Sequence, residues 1–332
     1  MVIDAHAHLN APEVFYAYKA RLQASGGLHR GDPKIDDEQL AAAAARNVAL
    51  LDEVGTTMQL ISPRPYQLMT SAKPERIVHW WVAANNDLIR RTVDLHPTRF
   101  AGVAALPLCA GRPVTEALDE LDRIAALPQF VGVCINPDPH EGTGTTPPLG
   151  DEYWYPLFER LVAHDLPALV HSAGCYSGRE TYSEHFVTEE SIAILNVLRS
   201  RTLTDFPDLK LIIAHGGGSV PYQIGRWQAE RLMPSLGGSP DAERFEVSLR
   251  RLWFDTVLHN PASLRLLLET VGPDRCLFGT ERPGSGSVVD PATGRQFDDI
   301  KPVIDAMPGL SEGDKQLVLE GNARKVFTRL AI

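Results

Sequence analysis

The chain has 332 residues, 44% hydrophobic and 22% charged, an ordinary globular composition that excludes a disordered or fibrous protein. Its formal net charge of −10 speaks against broad binding of nucleic acid or an anionic membrane, each of which needs a basic face. A small anionic ligand is still allowed, because a local pocket can carry the opposite sign. Cys109, Cys134, Cys175 and Cys276 are widely spaced with no CxxC, so we expect no disulfide framework and a reducing, cytoplasmic compartment. No apolar stretch is long enough to span a bilayer, and no basic-then-apolar start marks a secretory signal.

No motif recurs at a fixed period, which sets aside solenoids and propellers. Short apolar runs bounded by Gly, Pro or polar residues predict eight strands, at residues 2–4, 57–62, 100–106, 130–136, 168–172, 211–215, 252–257 and 276–280. Helical patterns lie between most of them, at 35–53, 74–95, 114–127, 152–164, 189–199, 220–230 and 262–270. Two more, 298–306 and 312–319, close the chain. Strand then helix, repeated eight times, implies parallel pairing through right-handed crossovers. The eightfold count favours a closed (β/α)8 TIM barrel over an open doubly wound sheet. The long connections, 9–34, 63–73, 136–151, 173–188 and 282–297, all follow strands. We therefore expect one barrel domain over residues 1–332, with extended βα loops on the face that carries chemistry.

Asp4-Ala5-His6-Ala7-His8 ends the first strand, and alternation along a strand points His6 and His8 the same way. Paired neutral imidazoles suit a borderline metal such as zinc, although HxH alone is a weak signal. His171 ends strand five, His215 ends strand six and Glu281 ends strand eight. A lone histidine after an apolar strand is ordinarily a hydrogen-bonded structural residue. Five metal-capable side chains, all at strand ends or exits, form the pattern that a barrel metal site requires and that chance seldom produces. Asp255 on strand seven either orients a histidine from behind or simply closes a strand end. Strand four offers no Lys or Glu to bridge two ions, so a single divalent metal is expected. Gly216-Gly217-Gly218 has no accompanying GxGxxG or P-loop lysine and reads as a tight turn. Trp80-Trp81 reads as packing or interface, and Cys175 and His185 either reach the pocket or are inert.

The strand-one HxH, the strand-five histidine, His215-Gly216-Gly217-Gly218 and the strand-eight acid resemble the amidohydrolase superfamily, in its decarboxylase and hydratase branch. The similarity runs nearly end to end. It is carried by Ile61-Ser62-Pro63-Arg64, Phe100-Ala101-Gly102-Val103, Asn136-Pro137-Asp138-Pro139, Asp290-Pro291-Ala292-Thr293-Gly294 and Glu320-Gly321-Asn322-Ala323-Arg324. Glutamate at position 281, where most relatives carry aspartate, resembles the hydratases more specifically. The segments 174–187 and Arg282-Pro283-Gly284-Ser285-Gly286 depart from that pattern.

The resemblance implies that His6, His8, His171 and Glu281 hold one divalent metal, zinc, and that His215 faces the substrate. The implied reaction adds water to the double bond of 4-oxalomesaconate or a similar unsaturated oxo-polycarboxylate, in breakdown of protocatechuate or gallate. Non-oxidative decarboxylation and metal-dependent hydrolysis are the alternatives; a non-catalytic binding barrel is the reading from a different class. Glu281 and His215 would be the catalytic acid–base residues, with the assignment between them open. A polycarboxylate calls for cationic clamps, for which Arg64 is best placed and Arg282 second, with Asn136 as an additional donor. A homo-oligomer is expected.

Overall fold

In a computed structural model describing residues 1–331, the chain forms a ring of eight parallel strands. They are β1 (Ile3–His8), β2 (Met58–Ser62), β3 (Phe100–Ala105), β4 (Phe130–Ile135), β5 (Ala168–Val170), β6 (Leu211–Ile213), β7 (Trp253–Asp255) and β8 (Cys276–Leu277). Each pairs with the next in sequence. The ring closes where Ala5 N–H donates to the Phe278 carbonyl and Glu281 N–H to the His6 carbonyl, both at 2.7 Å. The architecture is the (β/α)8 barrel that the strand count implies.

Two cores follow from strand alternation. One residue or more from every strand, among them Ile3, Leu60, Val103, Val131, Leu169, Ile212, Trp253 and Leu277, fills the barrel. A larger apolar layer lies between strands and helices. Phe327 packs in the inner core and sits against Gly132, so the last helical turn plugs the end where β4 begins. The histidines lie at the other end.

β1 departs from simple alternation in a way that matters. Asp4 pairs with Gln59 but Ala7 pairs with Ile61, so β1 carries one extra residue. Such a bulge turns the pleat. Ile3 and Ala5 face the barrel interior, Ala7 packs in the outer layer, and His6 and His8 are thereby aimed inward. Strand one is also longer than its apolar run, extending to His8 instead of ending at Asp4. β5 to β8 are shorter than theirs, because the chain leaves the ladder to deliver His171, His215 and Glu281.

The helices α1 (Glu13–Ala24), α2 (Asp37–Val54), α3 (Arg76–Leu95), α4 (Leu118–Ala125), α5 (Tyr155–Ala163) and α6 (Tyr182–Arg199) wrap the first half of the ring. α1 lies inside the segment expected to be a connection. Its buried stripe is only Phe15, Tyr18 and Leu22, too short for a clear helical signal. Phe15 stacks on Trp81 of α3 at 4.4 Å between ring centroids, which makes that tryptophan core and not a platform. α2 begins at a capping box between Asp36 and Gln39. α6 begins seven residues before the predicted start, at a second capping box between Thr181 and Glu184. Among the described residues all four cysteines are free, and no helix is long and apolar enough to cross a membrane.

Phe15→Ala removes the ring that clamps α1 to α3. Denaturant unfolding should show a loss of about 3–5 kcal/mol, the usual cost of emptying a buried aromatic site.

Candidate metal centre

Four imidazoles gather at the mouth of the barrel. The rings of His6 and His8 lie 5.1 Å apart, His6 and His171 5.0 Å, and His171 and His215 4.8 Å. Ligand atoms of His6, His171, His215 and Glu281 all fall within 4.8 Å of one another. His8 joins through Glu281, its Nε2 being 3.4 Å from Oε1.

Each ring is held from behind. His6 Nδ1 bonds Asp255 Oδ2 at 2.6 Å. His8 Nδ1 meets the Ser62 hydroxyl at 2.9 Å, and that hydroxyl in turn donates to the Ala7 and Pro63 carbonyls, so it accepts from the ring. His171 Nδ1 donates to the Ser172 carbonyl at 2.7 Å. His215 Nδ1 lies 2.9 Å from both oxygens of Glu190. A proton used at Nδ1 leaves Nε2 as the inward-facing atom. Nε2 of His6, His8 and His171 are all buried without a hydrogen-bond partner among the described residues. Leaving such an atom unsatisfied costs about 1–3 kcal/mol, a cost that ligation removes. The residues therefore fit a divalent metal.

The electrostatics suit the same arrangement. Burial, reinforced by neighbouring imidazoles, lowers the His171 pKa well below its usual value, and burial lowers that of His8 to about 4. Both rings are thus neutral and available as ligands. Burial favours the acid form of Glu281, but His8 and His215 outweigh it and hold the carboxyl below the usual carboxylate range. Burial likewise opposes charge on His215, yet the Glu190 carboxylate pushes its pKa up to about 10.

His215 and Glu281 have φ of 48° and 60°, in the left-handed region that non-glycine residues avoid. Such strain costs on the order of 1–3 kcal/mol and persists only where the surroundings enforce it. Glu281 is pinned by its N–H to His6, and Ser285 donates to its Oε2 at 3.1 Å. After His215 the backbone continues through three positive-φ glycines. A Cβ on Gly218 would meet the Val187 carbonyl at 2.5 Å, so glycine lets β6 exit hard against α6.

The other expected site residues divide. Asp255 does bond a histidine, and its Oδ1 also accepts from Gly216 and Val257 N–H. Arg64 lines a cavity of about 420 Å³ beside His8, Glu281, Tyr66, Tyr182 and Phe186. Its guanidinium donates to the Pro283 carbonyl at 3.2 Å and has no carboxylate partner among the described residues. Arg282 is a correction. Its buried guanidinium bonds Asp298 at 2.9 Å and reaches Glu53 at 3.4 Å, and it does not line that cavity. The turn at Glu281 sends neighbouring side chains to opposite sides, so one faces the pocket and the other the outer layer. Asn136 is likewise spent on structure, donating to Thr70 and Asp138 and accepting from Asp138 and Ala173 N–H. Glu190 was missed. It lies on the buried stripe of α6 with Phe186, Ala193, Ile194 and Val197, and the Thr181–Glu184 capping box was the signal that would have revealed it.

The amidohydrolase family model matches residues 3–329. The chain belongs to the amidohydrolase family. It is 34% identical to 2-keto-4-carboxy-3-hexenedioate hydratase of Sphingobium sp., across 99% of this chain and 97% of that one. The crystal structure of 4-oxalomesaconate hydratase from Rhodopseudomonas palustris superposes with a TM-score of 0.88 at 31% identity, covering 99% and 96% of the two chains. A manganese-bound dihydroxybenzoic acid decarboxylase from Polaromonas sp. has a TM-score of 0.74 at 22% identity, covering 100% and 98%, which shows a shared fold. This amidohydrolase is thus a homologue of hydratases along its whole length.

Glu190→Gln takes away the charge that raises the His215 pKa. An NMR titration of the ring should show protonation moving to lower pH in the variant. An unchanged titration would mean that Glu190 does not control it.

Proposed function

We propose that this amidohydrolase is a metal-dependent hydro-lyase that adds water to the double bond of an unsaturated keto-tricarboxylate of the 4-oxalomesaconate type. The observation that carries the reading is the convergence of His6, His171, His215 and Glu281, with His8 against Glu281 and with the Nε2 atoms of His6, His8 and His171 buried and unpartnered among the described residues, beside a cavity lined by Arg64. Full-length likeness to two hydratases supports hydration over decarboxylation.

His6, His8, His171 and Glu281 would hold the ion, with His215 facing the substrate. An imidazole and carboxylate set suits zinc, which we infer as the metal. When bound, the ion supplies Lewis-acid polarisation of a substrate oxygen and acidification of water.

The substrate named for the Sphingobium relative has a ketone at C2 conjugated to a C3–C4 double bond, and three carboxylates. Water oxygen bonds to C4, the π pair moves to C3, and the C2 ketone oxygen carries the developing charge. Glu281, kept ionised, accepts the proton lost by water. His215, kept protonated by Glu190, gives a proton to C3, so one water is added and nothing leaves. Arg64 pairs with a substrate carboxylate. Tyr66, Tyr182 and Phe186 form an aromatic wall over the same cavity.

Incubation of the purified enzyme with 2-keto-4-carboxy-3-hexenedioate should bleach the conjugated absorbance without releasing carbon dioxide. Stoichiometric carbon dioxide would overturn hydration. His171→Ala should lose the ion from this centre, whereas His215→Asn should keep it and lose turnover by about 10²–10⁴-fold. An ion lost from His215→Asn would refute the division between ligand and proton donor. Arg64→Met should raise KM by about 10-fold or more, the worth of a charged hydrogen bond.

A further inference from the structure

A second cluster lies on the far side of α6, away from the Arg64 cavity. His185 is buried, and its Nδ1 meets Glu180 Oε1 at 3.0 Å. In the neutral ring with its proton donated to Glu180, Nε2 carries a lone pair. Nε2 is buried, has no hydrogen-bond partner among the described residues, and lies 3.4 Å from Asp138 Oδ2. A lone pair facing a carboxylate is repulsive, and either a proton on Nε2, which burial opposes but Asp138 and Glu180 favour by raising the His185 pKa, or a metal cation between the two groups removes that repulsion. The catalytic histidines show the same arrangement, in which a fixed Nδ1 aims a free Nε2.

The surrounding groups complete a ligand set. Glu189 follows His185 by four residues on α6, so the two side chains share one face of the helix. The Glu189 carboxylate makes no hydrogen bond to any described residue, and burial with Asp138 nearby pushes its pKa up to about 7. Ligand atoms of Asp138, His185 and Glu189 all lie within 4.8 Å of one another. Asp138 is pre-oriented, accepting from His140 N–H at 3.1 Å, Gly142 N–H at 2.7 Å and the Thr146 hydroxyl at 2.5 Å. The cluster borders a cavity of about 390 Å³ through which an ion can enter.

We propose that Asp138, His185 and Glu189 form a second divalent-cation site, separate from the catalytic centre, that pins α6 to the segment after β4. Two carboxylates and one imidazole match zinc and its first-row neighbours. Of the three residues only His185, near the start of α6, falls in the segment 174–187, where the chain departs from the hydratase pattern. Phe186 and Glu190 follow His185 and Glu189 directly on that helix, so an ion there fixes two residues that face the catalytic centre.

The test counts ions, with Zn²⁺ as the probe. Wild-type chain saturated with Zn²⁺ and desalted should hold one more ion per chain than Glu189→Gln treated identically. His171→Ala, which empties the catalytic centre, should keep this ion, so failure of that centre and failure of this site give different counts. Titration with Co²⁺ should show a second phase of visible absorbance in wild type that Glu189→Gln lacks. Glu189 makes no hydrogen bond, so the variant should retain the wild-type circular dichroism spectrum; His185→Gln is a second variant that should also lose the ion. Equal counts in wild type and Glu189→Gln would overturn the proposal and leave His185 as a protonated link between Glu180 and Asp138.

Discussion

The chemistry of the barrel mouth depends on one constraint: its four imidazoles are gripped at Nδ1, so Nε2 is the atom presented inward. The grips are chemically different, being two carboxylates, a hydroxyl and a backbone carbonyl. They come from β7, β2, the exit of β5 and α6, so no single element organises the centre. A neutral acceptor leaves its histidine neutral and suited to bind an ion. Glu190, a buried carboxylate, instead keeps His215 charged and suited to give a proton. The acceptor alone does not divide the rings by role, because His6, a proposed ligand, is also gripped by a carboxylate, Asp255.

Holding this arrangement requires local departures from regular structure. The bulge in β1 re-aims His6 and His8, and His215 and Glu281 occupy strained backbone at strand exits. The two continuous apolar cores, one inside the strands and one outside, supply the rigidity that tolerates these departures. Ring closure itself runs through the site, since the bond from Glu281 N–H to the His6 carbonyl joins two proposed ligand residues and also closes the barrel.

The negative net charge is also resolved locally. Arg64 faces the candidate cavity without a carboxylate partner among the described residues, whereas Arg282, its neighbour in space through Pro283, is consumed by Asp298 and Glu53. One arginine is left for an anionic substrate and the other holds the turn that delivers Glu281. On the opposite side of α6, Asp138, Glu180 and Glu189 crowd one buried histidine, a local excess of negative charge that a protonated His185 or the proposed cation offsets. The helix therefore lies between two centres with different chemistry.

Strand number, parallel order and the residues at the strand ends were legible in the sequence, because apolar runs, alternation and His or Glu at their limits are local signals. Asp255 was legible as a candidate for the same reason. Other features depend on side chains distant in the chain. Glu190 meets His215 only because α6 starts early and packs against the glycine turn, and α1 owes its burial to Trp81. Arg282 could be placed at the pocket by adjacency to Glu281, but one strained turn and a buried aspartate direct it elsewhere. The sequence by itself determined which elements exist and which chemical groups reach the barrel mouth. Tertiary structure alone decided which Nδ1 each acceptor holds and which arginine stays free, because those outcomes depend on distances that neighbouring residues do not encode.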